Sequence, residues 1–200
     1  MMYLYRNAIS GHCHRVELLL SILGMAYEPV EVDLRAGAHK RPEFLALNPF
    51  GQIPVLKDGD AVLADSNAIL IYLARRYDSS GQWLPSDPVG AARVQRWLSV
   101  AAGPLAFGPA AARRICLFST PQDLATAQNI ATGLLRVMDS ALASAPYLVG
   151  DAPTIADLAL YAYTARAPEG DVDLAPYSSV NAWLRRVEAL RGFTPMLESR

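Results

Sequence analysis

Asn48 to Ala68 reads NPFGQIPVLKDGDAVLADSNA. Pro54 stands between Ile53 and Val55, where an apolar strand should begin. Proline cannot donate to a sheet ladder, so it marks a sheet edge or a turn. X-Pro is also the peptide for which the cis form is cheap. A cis bond here would leave the N–H and C=O of Ile53 facing outward, free to pair with an extended peptide by strand addition. Val55-Leu56 and Ala61-Val62-Leu63 flank Lys57-Asp58-Gly59-Asp60 and read as a hairpin turning at Asp58-Gly59. Asp65-Ser66-Asn67 then opens a helix, with Ser66 as N-cap ahead of Ile69, Leu70 and Leu73. A helix start offers unpaired N–H groups and partial positive charge, which suit a carboxylate. A peptide-pairing edge beside such a helix start fits a small peptide with a free acidic end.

Toward the N-terminus, Met2 to Tyr5 is a short apolar strand and Asn7 to Gly11 a polar break. Val16, Leu19, Leu20 and Leu23 recur at helical spacing, with Gly24 as a stop. Tyr27 to Leu34 alternates as a second strand, and Pro29 places it at an edge. This βαβ start favours a right-handed parallel pair. Arg35 to Lys40 is a loop and Pro42 to Leu47 a short helix, so a β-α-β-α-β-β-α unit occupies residues 1–77. DSSGQWLPSD, residues 78–87, reads as a linker by composition.

Residues 88–200 show no convincing strand and read as an all-helical bundle. Asp87-Pro88 caps a helix bearing Val94, Trp97, Leu98 and Ala101, which Gly103-Pro104 and Gly108-Pro109 should kink or break. Thr120-Pro121-Gln122-Asp123 is read as the cap of the next helix, with proline at its first position, running to about Ala145. Thr154 and Asp157 have capping-box spacing, and the nearly all-apolar stretch Leu158 to Ala165 should be the buried central helix. Val180, Trp183, Leu184, Val187 and Leu190 mark the last helix.

The fold class is therefore α/β followed by all-α, and 200 residues suffice for a good core. Charge is nearly balanced, with 18 Lys and Arg against 19 Asp and Glu. No basic run or aromatic-basic stripe points to nucleic acid, and no apolar segment is long enough for a membrane span. Met1-Met2-Tyr3 alternates like a strand and lacks a signal-peptide layout. Cys13 and Cys116 are the only two cysteines, so a reduced, cytoplasmic protein without a disulfide framework is expected. His12-Cys13-His14 is not a metal site, since adjacent helical residues do not face one another and His39 is the only other histidine.

The run Asn48-Pro49-Phe50-Gly51-Gln52-Ile53-Pro54-Val55-Leu56, then Asp65-Ser66-Asn67-Ala68-Ile69 and Tyr72-Leu73, closely resembles the signature of the cytosolic glutathione S-transferases. The resemblance covers essentially the whole chain. It implies a thioredoxin-like first domain, a helical second domain, and use of glutathione as co-substrate with no other cofactor. It also implies a homodimer that joins glutathione to a small electrophile.

Such chemistry needs the glutathione thiolate. A free thiol of pKa about 8.5 is only a few per cent ionised at neutral pH. Lowering that pKa by two units takes about 2.7 kcal/mol, within reach of one or two donors and a helix dipole. The donor should sit where the first strand meets the first helix, at Ser10-Gly11-His12-Cys13-His14. By position Ser10 is equally a helix cap. Its resemblance to the serine motif of zeta-like, theta-like and related bacterial transferases assigns it to sulfur. His12 is either a second donor or a solvent-facing helix residue. Cys13 is either a mixed-disulfide nucleophile or a small core residue, and its place three residues after Ser10 favours the core.

For the glycine end of glutathione the candidates are His39, Lys40 and Gln52; His39 and Lys40 read equally as solvated loop residues. Ile53, beside Pro54, is expected to pair through its backbone with the cysteine of the peptide. Asp65 should hold the γ-glutamyl ammonium and Ser66 the α-carboxylate. The second-substrate pocket is expected around Leu105, Phe107 and Arg113, with Arg114 as the alternative to Arg113. Alternative activities are a maleylacetoacetate isomerase-like reaction, against which Gly11 stands where that group has serine, and disulfide or peroxide chemistry through Cys13. A non-enzymatic binding or stress-regulatory protein is the further alternative.

Overall fold

A computed structural model describes residues 1–199. Its first half is a four-stranded sheet of β1 (Met2–Arg6), β2 (Glu28–Glu31), β3 (Val55–Asp58) and β4 (Ala61–Ala64), in the order β2-β1-β3-β4. β1 and β2 are parallel, with Tyr3 opposite Glu28, and α1 (Gly11–Ile22) is the crossover. β3 runs antiparallel to both β1 and β4. The β3–β4 hairpin closes at Asp58 opposite Ala61, with Gly59 at φ +58°, as the Asp-Gly dipeptide requires. Pro29 lies on the outer strand β2, where its missing N–H costs no ladder bond. β2 is shorter than the alternation of residues 27–34 suggests. Asp33 turns the chain by accepting the Ala36 N–H on its side chain at 2.9 Å and the Ala38 N–H on its carbonyl at 2.9 Å.

A short 3₁₀ turn, Ala38–Lys40, leads into α2 (Pro42–Leu45), which ends two residues before the expected Leu47. α3 (Ser66–Tyr77) covers the sheet. Its N-cap is Asp65, not Ser66: the Asp65 carboxylate accepts from Asn67 N at 2.9 Å and Ala68 N at 3.0 Å. Ser66 therefore sits inside the first turn, with its own side chain turned into the protein.

The stretch 78–87 is an anchored connection, with Trp83 and Leu84 buried and the Trp83 carbonyl accepting from Ile155 N at 2.9 Å. Asp87 caps α4 (Pro88–Ala102) through Gly90 N at 2.8 Å. The two Gly-Pro pairs divide the chain beyond α4 into α5 (Pro104–Phe107) and α6 (Pro109–Phe118). α7 (Leu124–Leu142) begins later than Thr120-Pro121 suggests, because Asp123 is the residue whose side chain reaches the free N–H groups of Ala125 and Thr126.

α8 (Ile155–Ala165) is the buried central helix, and its Thr154–Asp157 capping box forms as spaced. α9 (Ser178–Glu188) buries Val180, Trp183, Leu184 and Val187. One apolar cluster runs continuously from Leu4 and Leu56 of the sheet through α1, α3 and α4 to α8 and Trp183, so the two halves share a core. A smaller cluster of Val32, Phe44 and Val55 lies elsewhere on the sheet. No helix among the described residues is long and apolar enough to cross a membrane.

Candidate functional site

A cleft of about 430 Å³ opens above the start of α1 and is lined by Ser10, His12, His39, Lys40, Gln52, Ile53, Pro54, Asp65 and Ser66. These residues come from the starts of α1 and α3 and from the segments between β2 and β3, and they meet where β1 and β3 are neighbours in the sheet. Leu34, Gly51 and Arg114 complete the wall.

Ser10 is the N-cap of α1, its Oγ accepting from Cys13 N at 3.4 Å, and it also faces the cleft. The cap and the cleft positions are thus one position, since the hydroxyl proton remains available for a second partner. His12 is half-buried rather than solvent-facing, and its ring meets Tyr163 edge-on at 4.9 Å. Burial, reinforced by the positive charges of Arg15 and Arg114, lowers its pKa to about 3, so the imidazole is neutral at physiological pH. His14 points the other way, to the Thr194 carbonyl at 2.8 Å. Cys13 is fully buried, and burial pushes its thiol up to about 12. A thiolate nucleophile at that place is disfavoured, and the core reading holds.

On the opposite wall, Ile53-Pro54 is a cis peptide, and among the described residues neither the N–H nor the C=O of Ile53 has a hydrogen-bond partner. Asn48 shapes the approach by donating to the Gln52 carbonyl at 2.8 Å and accepting from Phe50 N at 3.1 Å. Lys40 Nζ donates to the carbonyls of Phe50 at 3.3 Å and Gly51 at 3.2 Å. Gly51 has φ +58°, and a Cβ there would come within 2.8 Å of both the His39 carbonyl and Lys40 Nζ, so only glycine fits. His39 lines the cleft with its Nδ1 buried and unpartnered.

At the third corner, Asp65 is exposed at φ +70° and Ser66 is buried. Arg15 lies beneath them, 1% exposed, its Nη1 donating to Ser66 Oγ at 3.3 Å and to Asn67 Oδ1 at 2.9 Å. No carboxylate pairs with it directly among the described residues. Burial lowers its pKa to about 10, against the pull of nearby Tyr163 and Asp65. An arginine one helical turn before the apolar residues Leu18, Leu19 and Leu20 is the signal that could single it out.

The residues expected at the second-substrate wall, Leu105, Phe107 and Arg113, are placed apart from this cleft. Leu105 is wholly inside the core and Phe107 is 65% exposed, and neither lines the cleft. Arg113 is buried, with Nε on Glu169 Oε2 at 2.7 Å and Nη1 on the Ile9 carbonyl at 3.0 Å. Its neighbour Arg114 is the one that faces the cleft, with Nη2 on Gln122 Oε1 at 2.7 Å. Successive helical residues point about 100° apart, so only one of an adjacent pair can take each position.

Residues 1–75 match the family profile described as "Glutathione S-transferase, N-terminal domain", and residues 121–186 match "Glutathione S-transferase, C-terminal domain". Glutathione S-transferase 3 of Zea mays is 39% identical, over 95% of this chain and 90% of its own length. Glutathione S-transferase theta-1 of Bos taurus is 31% identical, over 94% of this chain and 83% of its own. The crystal structure of a glutathione S-transferase from Pseudomonas fluorescens superposes with a TM-score of 0.93 at 37% identity, covering 98% of this chain and 99% of that one.

Proposed function

The chain belongs to the glutathione S-transferase family, and on that premise we propose that the cleft binds glutathione and that Ser10 stabilises its thiolate for attack on a small electrophile. The observation that carries this is the convergence on one cleft of Ser10, the unpaired backbone of Ile53, and the Asp65-Ser66 helix start.

In this reading Ile53 pairs with the cysteine of the peptide, Ser66 N–H and the α3 terminus take the α-carboxylate, and Asp65 takes the ammonium. Asp65 uses Oδ1 for the cap, which leaves Oδ2 for the ligand. His39, Lys40 and Gln52 serve the glycine end. The sulfur lies toward Ser10, and neutral His12 can donate to it without adding charge. Sulfur bonds to the electrophilic carbon, by addition or with departure of a leaving group that keeps its electron pair, and the thiol proton passes to solvent. The electrophile enters past Arg114. A homodimer, a cytoplasmic location and a detoxifying role belong to the same reading and are supported by the family alone.

The isomerase alternative is weakened at Gly11, where a Cβ would meet the Tyr163 ring at 2.8 Å, so the serine of that group does not fit. The Cys13 alternative is weakened by burial. The test is a pH titration of bound glutathione by thiolate absorbance, for wild type and Ser10→Ala. A lowered thiol pKa in the wild type, restored by Ser10→Ala while glutathione still binds, is the expected result. Binding without any gain in ionisation sinks the serine assignment and favours a binding role.

A further inference from the structure

Ser10 belongs to a short loop, and Arg113 of the helical half bonds that loop from the far side. Arg113 is 4% exposed and reaches three groups at once: Glu169 Oε2 from Nε at 2.7 Å, the Ile9 carbonyl from Nη1 at 3.0 Å, and Ser199 Oγ from Nη2. The Ile9 carbonyl belongs to the peptide unit whose nitrogen is that of Ser10. It has no other hydrogen-bond partner among the described residues. The loop's own bonds, Ile9 N to Asn7 Oδ1 at 3.3 Å and Ser10 N to the Asn7 carbonyl at 3.0 Å, set the N–H side of this turn and leave its carbonyl to Arg113.

The cation is itself held. Glu169 lies in a 3₁₀ turn, Ala167–Gly170, pressed so closely on α6 that a Cβ at Gly170 would come within 2.5 Å of Arg113 N. Arg166 lies 3.7 Å from the other oxygen of Glu169. A guanidinium fixed by a largely shielded carboxylate is a rigid donor, and a charged donor makes a stronger bond to a carbonyl than a neutral one does. A peptide plane that rotates by even a modest angle moves the hydroxyl of the residue after it, and misplacement by about an ångström can cost on the order of a hundredfold in rate.

We infer that Arg113 is a positioning residue for thiol activation: by holding the Ile9–Ser10 peptide from the helical half, it aims the Ser10 hydroxyl into the cleft. This rests on the reading of Ser10 as the donor to sulfur.

The experiment compares Arg113→Met, Arg113→Lys and Glu169→Gln with the wild type. It measures the thiol pKa of bound glutathione, the Kd of S-methylglutathione, which has no thiol, and Tm. Arg113→Met should raise the bound thiol pKa by about one unit, a tenfold loss of thiolate at a fixed pH below that pKa. The Kd of S-methylglutathione should stay within about threefold, since Ile53, Asp65 and Ser66 lie on other elements. Arg113→Lys, which can keep a donor to Ile9, should recover part of the shift. Glu169→Gln should lower Tm and leave the thiol pKa near the wild-type value, because the Ile9 bond survives it.

If Arg113→Met and Glu169→Gln lower Tm alike and both leave the thiol pKa unchanged, Arg113 is only a structural ion-pair member and the inference is overturned. If Arg113→Met does not fold, Arg113→Lys carries the test, and a wild-type thiol pKa in that variant together with full sensitivity to Ser10→Ala overturns it equally. A wild-type protein whose bound thiol pKa does not respond to Ser10→Ala removes the premise itself, which identifies the site reading as the failure.

Discussion

Arg15 Nη1 donates to Ser66 Oγ across 3.3 Å, so the helix that starts at Ser10 and the helix that starts at Ser66 are tied together beneath the cleft. The same nitrogen reaches Asn67 Oδ1 at 2.9 Å, and Asn67 in turn donates to the Leu98 carbonyl at 3.1 Å. The two helix N-termini that would hold a thiolate and a carboxylate are thereby kept at one spacing. Arg15 Nε and Nη2 have no protein partner among the described residues. A buried guanidinium in that condition is tolerated because Asp65 stands nearby.

Replacing Arg15 by Lys keeps the charge and loses the Nη1 donor that reaches both Ser66 and Asn67. We expect a stability loss of about 1.5–3 kcal/mol, the scale of hydrogen bonds to a charged group, and a several-fold weaker Kd for glutathione. Urea denaturation and ligand titration on the same variant check both. Unchanged affinity would show that α3 keeps its place without this tie.

Gly11 lies against Tyr163, whose ring occupies the space a Cβ would need, at 2.8–2.9 Å. Tyr163 is buried and cannot swing away freely. Gly11→Ala should therefore destabilise by roughly 1–3 kcal/mol through overpacking. Pairing it with Tyr163→Leu should give a smaller loss than the two single changes added, read by a double-mutant cycle. Simple additivity would mean that the two sites do not collide.

Asp157 is fully buried and accepts from Leu148 N at 3.0 Å, Thr154 N at 2.8 Å and Trp183 Nε1 at 2.9 Å. With the Thr154 hydroxyl, which donates at 3.3 Å, four donors converge on two oxygens. Asp157→Asn presents an NH₂ to at least one of them and leaves a buried N–H unpaired, at a cost of about 1–3 kcal/mol for each such group. Denaturant midpoints of the variant, read by Trp fluorescence, should fall accordingly. Activity per folded molecule should not change.

His12 gives a pH signature. Its folded pKa, lowered to about 3, lies below the ordinary 6.5, so between these values the unfolded chain binds a proton that the folded chain does not. Stability should be complete above pH 6.5 and fall as the pH drops toward 3, by at most about 2 kcal/mol at pH 5. His12→Asn should flatten this dependence. A wild-type curve with no such slope, or a slope that survives the substitution, contradicts the neutral imidazole.

Much of the architecture was legible because its causes are local. The Asp58-Gly59 turn, the Asp87-Pro88 start of α4, the Gly-Pro breaks and the Thr154–Asp157 box each depend on residues within a few positions of one another. The cap of α3 was misplaced by one residue, and the start of α7 by more, because Asp and Ser or Thr compete for the same role at neighbouring positions. Only the backbone path decides which side chain reaches the free N–H groups.

The sequence by itself determined the order of elements, the hairpin register and the residue types available to a peptide-binding cleft, since these depend on short-range sterics and hydrophobic period. Which residues share a wall was decided only when β1, β3, α3 and α6 came together. Arg113 and Arg114 are chemically identical neighbours, yet one is buried against Glu169 and Ile9 and the other faces the cleft. Gly11 is constrained by Tyr163, and Ser66 is braced by Arg15, from positions far away along the chain. Such contacts depend on how whole helices rotate and pack, and no pattern along one segment contains that information.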